Sequence, residues 1–257
     1  MSLVNVDVRE RVARLELNRP DAGNALNLEL MTEFRAAAQG LRDSDVGAVL
    51  LTGAGKAFCV GGDLNYMHDA GDAVGDAVLR LATQFHAGIE ALAGLDAPVI
   101  TAVRGAAAGG GMSLAIAGDI VLASESARFT MAYTAIGFSP DGGSSWTLPR
   151  LVGLRRATEL MLLNERLKPA AAQELGLVTR VVADDALDGE ADALARRLAD
   201  GPTTAHGGVK RLLRESATRG LPEQLAEEAR TIAATAASPA GRDGVASFLE
   251  KRAPRFR

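Results

Sequence analysis

Three short runs constrain this chain more than anything else in it: AVLL at 48–51, VITAV at 99–103 and DIVLA at 119–123. In each, apolar residues follow one another, so neither face of the strand can be left wet. Such strands belong in a sheet covered on both sides, with helices in the connections. The intervals fit. The stretch Leu64–Ala93 reads as mostly helical, and GDAVGDAVL at 71–79 within it reads as a mobile helix or loop. Between the last two runs, Gly109, Gly110 and Gly111 open a small apolar helix, MSLAIAG.

The remaining chain adds elements of known kind. VNVDV and VARLEL alternate apolar and polar residues and predict an antiparallel hairpin with one wet face. A helix follows the loop NRPDAGNALN, with Leu30, Phe34, Ala37 and Leu41 at helical spacing and Asn27 as its N-cap. After Gly143, residues 144–152 and 153–163 read as helices, KPAAAQELGL as a short one and VTRVV as a last strand. Ala/Leu/Arg/Glu-rich helices then run from Leu187 to Glu250. The fold class is α/β, with a core over 1–190 and a helical portion over 191–257.

Composition narrows the role. A net charge of -4 argues against nucleic acid or an anionic membrane as partner. No apolar run reaches membrane-spanning length. The start lacks the apolar core of a signal peptide, and the single cysteine, Cys59, excludes an internal disulfide and fits a reducing compartment. A cytoplasmic enzyme is the expectation.

Most motifs fail on inspection. TGAGK at 52–56 lacks the Ser or Thr a phosphate loop needs for its metal, having Ala57 instead. Gly105-x-x-x-Gly109-Gly110 lacks dinucleotide-binding spacing. Ser113 has no nucleophile elbow around it, which leaves a serine triad only a weak alternative. His68, His86 and His206 are scattered and read as surface or packing residues, so no metal site is expected. Two glycine loops remain, each after a buried strand: Phe58 to Leu64, and Gly109 to Gly111. Glycines let backbone approach a ligand, and two backbone N–H groups meeting at one carbonyl oxygen form an oxyanion hole.

NRPDAGNALN, GAGKAFCVGGDLNYM, GAAAGGGMSLAIAGDIVLA and LGLVTRVV together resemble the enoyl-CoA hydratase/isomerase (crotonase) family, in order and over essentially the whole chain. The resemblance implies a spiral of ββα turns and a helical trimerisation region. It also implies a homotrimer or dimer of trimers, an acyl-CoA thioester substrate, and no cofactor beyond the substrate's own coenzyme A. It makes the Gly62 and Gly110 amides the oxyanion donors. It places Ala25, Lys56, Ala57, Gly61, Asp63, Leu64, Ser113 and Tyr133 on the substrate side, with Lys56 and Ala25–Leu26 at the CoA.

Ser113 and Tyr133 occupy the places where hydratases of the family carry two glutamates. The acid is supplied instead by Asp141, after Ser139-Pro140. That pattern resembles the isomerase branch, most strongly the ring 1,2-epoxyphenylacetyl-CoA isomerases and then the enoyl-CoA isomerases. One carboxylate suffices to take a proton at one carbon and return it at another. The competing role for Asp141 is N-cap of the helix beginning at Gly142-Gly143-Ser144. Tyr133 either orients substrate or lines the pocket, and Trp146, Phe138 and Met67 are expected to wall it. An enoyl-CoA hydratase and a catalytically silent acyl-CoA-binding scaffold are the rival functions.

Overall fold

The computed structural model describes residues 2–256. The strands are β1 (Val4–Arg9), β2 (Val12–Leu17), β3 (Ala48–Gly53), β4 (Val99–Val103), β5 (Ala106–Ala108), β6 (Ile120–Ser124), β7 (Arg128–Thr130) and β8 (Arg180–Val182). Six form one mixed sheet in the order β1-β2-β3-β4-β6-β8, antiparallel only in the β1–β2 hairpin. The hairpin turns through Glu10 and Arg11 at φ 49° and 63°. Two left-handed residues match the twist of the flanking strands.

The parallel part is built from a repeated turn: a strand in the large sheet, an extended segment in a second layer, then a helix. After β2 come Leu26 and α1 (Leu28–Gly40); after β3, Phe58–Gly62, α2 (Leu64–Asp69) and α3 (Val74–Ala93). After β4 come β5 and α4 (Gly110–Ile116); after β6, β7 and α5 (Ser144–Val152). The second layer is continuous and parallel, with bridges Leu26–Gly62 and Cys59–Ala107 and the β5–β7 pair. This is the expected spiral of ββα turns.

Alternate residues of β3 face opposite ways, which explains the uninterrupted AVLL. Val49 and Leu51 join the core with Phe34 of α1 and Phe85 of α3. Ala48 and Leu50 pack with Ile100, Ala102 and Leu122 beneath Leu187, Ala191, Ala195 and Ala199 of α8 (Leu187–Ala199). Helix α8 runs across residue 190, where the helical portion was expected to begin, and serves as the cover of the sheet's second face. Its alanine stripe allows a very close approach: a Cβ on Gly47 would lie 2.7 Å from the Ala199 carbonyl oxygen. Helix α1 is capped as expected, with Asn27 Oδ1 accepting the Leu30 N–H at 2.9 Å.

Helices α6 (Leu154–Leu163) and α7 (Pro169–Glu174) return the chain to β8, and α9 (Thr203–Ser216), α10 (Leu221–Ala237) and α11 (Pro239–Leu249) follow α8. Lys210 ties α9 to the sheet, donating to Asp119 Oδ2 at 2.7 Å and to the Ala97 carbonyl at 2.9 Å. Among the described residues no helix is long and apolar enough to cross a membrane.

Candidate active site

The first glycine loop is held on both sides by backbone bonds. Phe58 N–H donates to Arg104 O at 2.7 Å and Cys59 N–H to Ala106 O at 3.0 Å. On the other side Leu26 N–H donates to Gly61 O at 2.7 Å and Asp63 N–H to Leu26 O at 2.9 Å. Gly61 has φ 101°, and a Cβ there would press on Ala108 O at 2.8 Å. Only glycine serves in that position. Asp63 then locks the loop's end. Its Oδ1 caps α2 through Asn65 N–H and Tyr66 N–H, and its Oδ2 accepts from Arg19 Nη2 at 3.0 Å. Among the described residues, Gly62 N–H has no acceptor.

A buried asparagine supports this loop from below. Asn24, at φ 58°, donates from Nδ2 to Ala54 O and Ala57 O at 2.9 Å and Phe58 O at 3.1 Å, while its Oδ1 accepts Arg19 N–H at 2.8 Å. An Asn24→Asp change turns a donor toward three carbonyls into an acceptor. Chemical denaturation should show a loss of roughly 3 kcal/mol or more, the cost of an uncompensated buried charge.

The second loop crosses the first at close quarters. Gly109, at φ 50°, donates its N–H to Thr130 O at 3.0 Å, and a Cβ on it would lie 3.8 Å from Gly61 Cα. Gly110 opens α4, so its N–H lacks an intrahelical acceptor and finds no other among the described residues. Gly61, Gly62, Gly109 and Gly110 line one cavity of about 510 Å³, whose walls include Leu26, Met67, Leu81, Phe85, Ile136 and Phe138. The two glycines with open amides therefore line the same apolar space.

Asp141 lies on that cavity too. Its Oδ1 accepts the Tyr133 O–H at 2.6 Å, and Tyr133 stands 2.9 Å from Ser113 Oγ. Burial, then the charge of Asp141, hold the Tyr133 phenol above its ordinary range, so it stays protonated and donates. Asp141 is not an N-cap by its side chain. The Ser144 N–H reaches its backbone carbonyl at 3.2 Å, and α5 has no side-chain cap. A group the sequence reading assigned to surface or packing completes the cluster: His86 Nε2 lies 3.4 Å from Asp141 Oδ2 and accepts the Gly142 N–H at 3.0 Å.

Of the expected residues, Gly61, Gly62, Leu64, Gly110, Tyr133 and Asp141 line the cavity together. Ser113 is buried one hydrogen bond behind Tyr133. Ala25 is buried and does not line the cavity, its carbonyl accepting from Arg19 Nη1 at 2.5 Å, and Asp63 faces Arg19 rather than the cavity. Lys56 is exposed beside half-buried Ala57, on the loop between β3 and Phe58. Met67 and Phe138 wall the cavity as expected, but Trp146 does not: it is 46% exposed on α5, with Arg150 stacked 4.0 Å from its ring. Cys59 is buried and its thiol pushed up to about 12 by desolvation, which leaves it a packing residue. The stretch read as a mobile helix or loop is helical, and Val74, Gly75, Val78, Leu81 and Ala82 of α3 form a cavity wall. Among the described residues no cluster of potential ligands could hold a metal ion.

Comparison with known proteins agrees with this geometry. The profile of the enoyl-CoA hydratase/isomerase family matches residues 7–257. The chain is 39% identical over 256 residues to a "probable enoyl-CoA hydratase" of Rhodobacter capsulatus, covering 98% of this chain and 97% of the relative. It is 38% identical over 258 residues to the 1,2-epoxyphenylacetyl-CoA isomerase of Escherichia coli, covering 100% and 98%. The crystal structure of an enoyl-CoA hydratase from Mycobacterium smegmatis superposes with a TM-score of 0.92 at 32% identity, covering 100% and 99% of the two chains. With its paired glycine loops, its ββα spiral and a match over nearly its whole length, the chain belongs to the enoyl-CoA hydratase/isomerase (crotonase) family of enzymes that act on CoA esters.

Proposed function

We propose that this enzyme isomerises a CoA ester, shifting a double bond or rearranging a ring epoxide through an enolate. Asp141 Oδ2 takes a proton from the carbon beside the thioester carbonyl, because Oδ1 is already engaged by Tyr133. The C–H electron pair moves onto the thioester oxygen, which the Gly62 and Gly110 N–H groups receive. The proton then returns at another carbon. Preorganised donors of this kind contribute roughly 3–4 kcal/mol each at the transition state, and a positioned base about 10²–10⁴-fold in rate. The observation that carries this reading is the shared cavity: Asp141 and the two glycines with unpartnered amides line the same apolar space. The apolar walls suit the acyl group. Ala25 and Lys56 are the groups we assign to the CoA portion.

A second reading, addition of water to an α,β-unsaturated acyl-CoA, is favoured by His86, which gives the site a second acid–base group 3.4 Å from Asp141. The discriminating experiment incubates the protein with unsaturated and epoxidised acyl-CoAs in heavy water and follows each ester by mass spectrometry. Isomerisation predicts products of unchanged formula apart from deuterium. Efficient hydration of crotonyl-CoA that persists in Asp141→Asn contradicts it. Tight binding with the ester recovered unisomerised and no deuterium at any carbon indicates a silent scaffold.

Residues 1–190 carry every group of this site, and 191–257 are assigned to assembly. Leu213, Leu221, Ile232 and Phe248 on α9–α11 are 70%, 71%, 69% and 84% exposed, which a trimer contact would cover. Light scattering on the eluting protein should return three or six times the 26.7 kDa chain mass, and a monomer would contradict the assignment.

A further inference from the structure

We propose that His86 is the proton port of the site, the group through which a proton held on Asp141 exchanges with solvent. The proposal rests on the reading of Asp141 as the base. Two hydrogen-bonded branches leave the carboxylate. From Oδ1 the branch runs to the Tyr133 hydroxyl and then to Ser113 Oγ at 2.9 Å, whose single proton is shared between Tyr133 and the Gly109 carbonyl at 3.3 Å. It ends inside the protein, since Ser113 is 1% exposed. From Oδ2 the branch is a single step to His86 Nε2, and half of the His86 side chain is open to solvent. Among the described residues, Nδ1 of His86 has no protein partner. Only this second branch leads out.

The chemistry follows from one lone pair facing two donors. While Asp141 is ionised, the Gly142 N–H holds Nε2 at 3.0 Å, so the neutral ring keeps its proton on Nδ1. When Oδ2 takes a proton from the substrate carbon, its O–H becomes a second donor toward the same lone pair. Transfer breaks O–H, forms Nε2–H and restores the carboxylate, leaving an imidazolium. The half-open ring turns, its N–H protons exchange with water, and one of them returns to Oδ2. The proton given back to the product is then a solvent proton. Asp141 is itself one-third exposed, on the cavity the acyl group would fill; with that group in place and no port, the abstracted proton stays on Asp141 and returns to the same molecule.

The test is isomerisation of a β,γ-unsaturated acyl-CoA in heavy water, counting deuterium per product molecule at low conversion. The wild-type product should carry solvent deuterium in most molecules. His86→Gln, which keeps an acceptor for the Gly142 N–H, should slow turnover, and in the turnovers that remain deuterium per product molecule should fall at least three-fold. Unchanged deuterium per turnover overturns the proposal, as does a wild-type product free of deuterium. Should the glutamine variant not turn over, His86→Ala decides: added imidazole restoring deuterium supports the port, and no response to imidazole overturns it. Asp141→Asn separates the two ideas. If that variant isomerises at the wild-type rate, or wild type does not turn over, the base reading falls and the port with it. If Asp141→Asn is silent and His86→Gln exchanges normally, only the port falls.

Discussion

Asp141→Asn should lower turnover by roughly 10²–10⁴-fold, the usual share of a positioned base, while leaving the KM for the CoA ester within about three-fold. The asymmetry follows from the contacts. An asparagine keeps an oxygen for the Tyr133 O–H, whose 2.6 Å bond fixes the loop. The walls that hold the acyl group, Leu81, Phe85 and Phe138 among them, are untouched. What disappears is the basic lone pair on the second carboxylate oxygen. The fold should not suffer, because this side chain is one-third exposed and caps no helix. Steady-state kinetics on the folded variant check this. A variant that keeps a tenth or more of the wild-type rate would mean the proton is taken elsewhere.

The second large effect is expected at a glycine outside the cavity. A Cβ on Gly111 would lie 2.1 Å from the Cys59 carbonyl oxygen and 2.8 Å from its carbonyl carbon, both backbone atoms. Relief requires the two glycine loops to move apart, yet Cys59 is bonded to Ala106 and Ala108 at 3.0 Å on that same edge. Gly111→Ala should therefore cost about 1–3 kcal/mol or more through overpacking and separate the two amides, reducing turnover by at least the roughly 10²-fold that one donor carries. Gly110→Ala is the informative contrast. Its Cβ clashes only with the end of a flexible side chain, Leu26 Cδ1 at 2.8 Å, and otherwise makes ordinary contact with Phe85 at 3.6 Å and Tyr133 at 3.8 Å, so it should fold nearly normally and lose activity through crowding at the cavity. Thermal unfolding paired with kcat separates the two. Equal stability loss in both variants would contradict the close-crossing account.

The contrast between these glycines shows what the sequence makes legible. The large-sheet strands could be read because their burial is local information: AVLL is apolar without interruption and VITAV is broken only by Thr101. The second layer could not be read from pattern. β5 is only Ala106–Ala108, and its strand character comes from Cys59 on one side and β7 on the other. Similarly, α8 has the composition of the helices that follow it. What sets it apart is the small residues Ala191, Ala195 and Ala199 on one face, a stripe that makes sense only against the sheet. The two glycine loops stood out as what remained once the other motifs failed, and Asp141 was singled out through family likeness. His86 was not, because nothing on α3 around it signals chemistry, and its meaning depends on where Asp141 and Gly142 arrive from a distant loop. Asn24 gave a faint signal as an asparagine in a turn-rich loop, a residue type that tolerates its φ of 58°. Trp146 misled because a large aromatic near a helix start looks like a pocket wall, whereas Arg150 holds it against the outside of α5.

Every catalytic step proposed here depends on the Gly62 and Gly110 N–H groups meeting at a thioester oxygen. Isotope-edited difference infrared spectroscopy of a carbonyl-labelled saturated acyl-CoA, bound to Asp141→Asn, reads that contact directly. The account predicts a carbonyl stretch shifted to lower frequency than the same ester shows in water, with the shift lost in Gly111→Ala. A bound ester whose carbonyl absorbs at its solution frequency would contradict it.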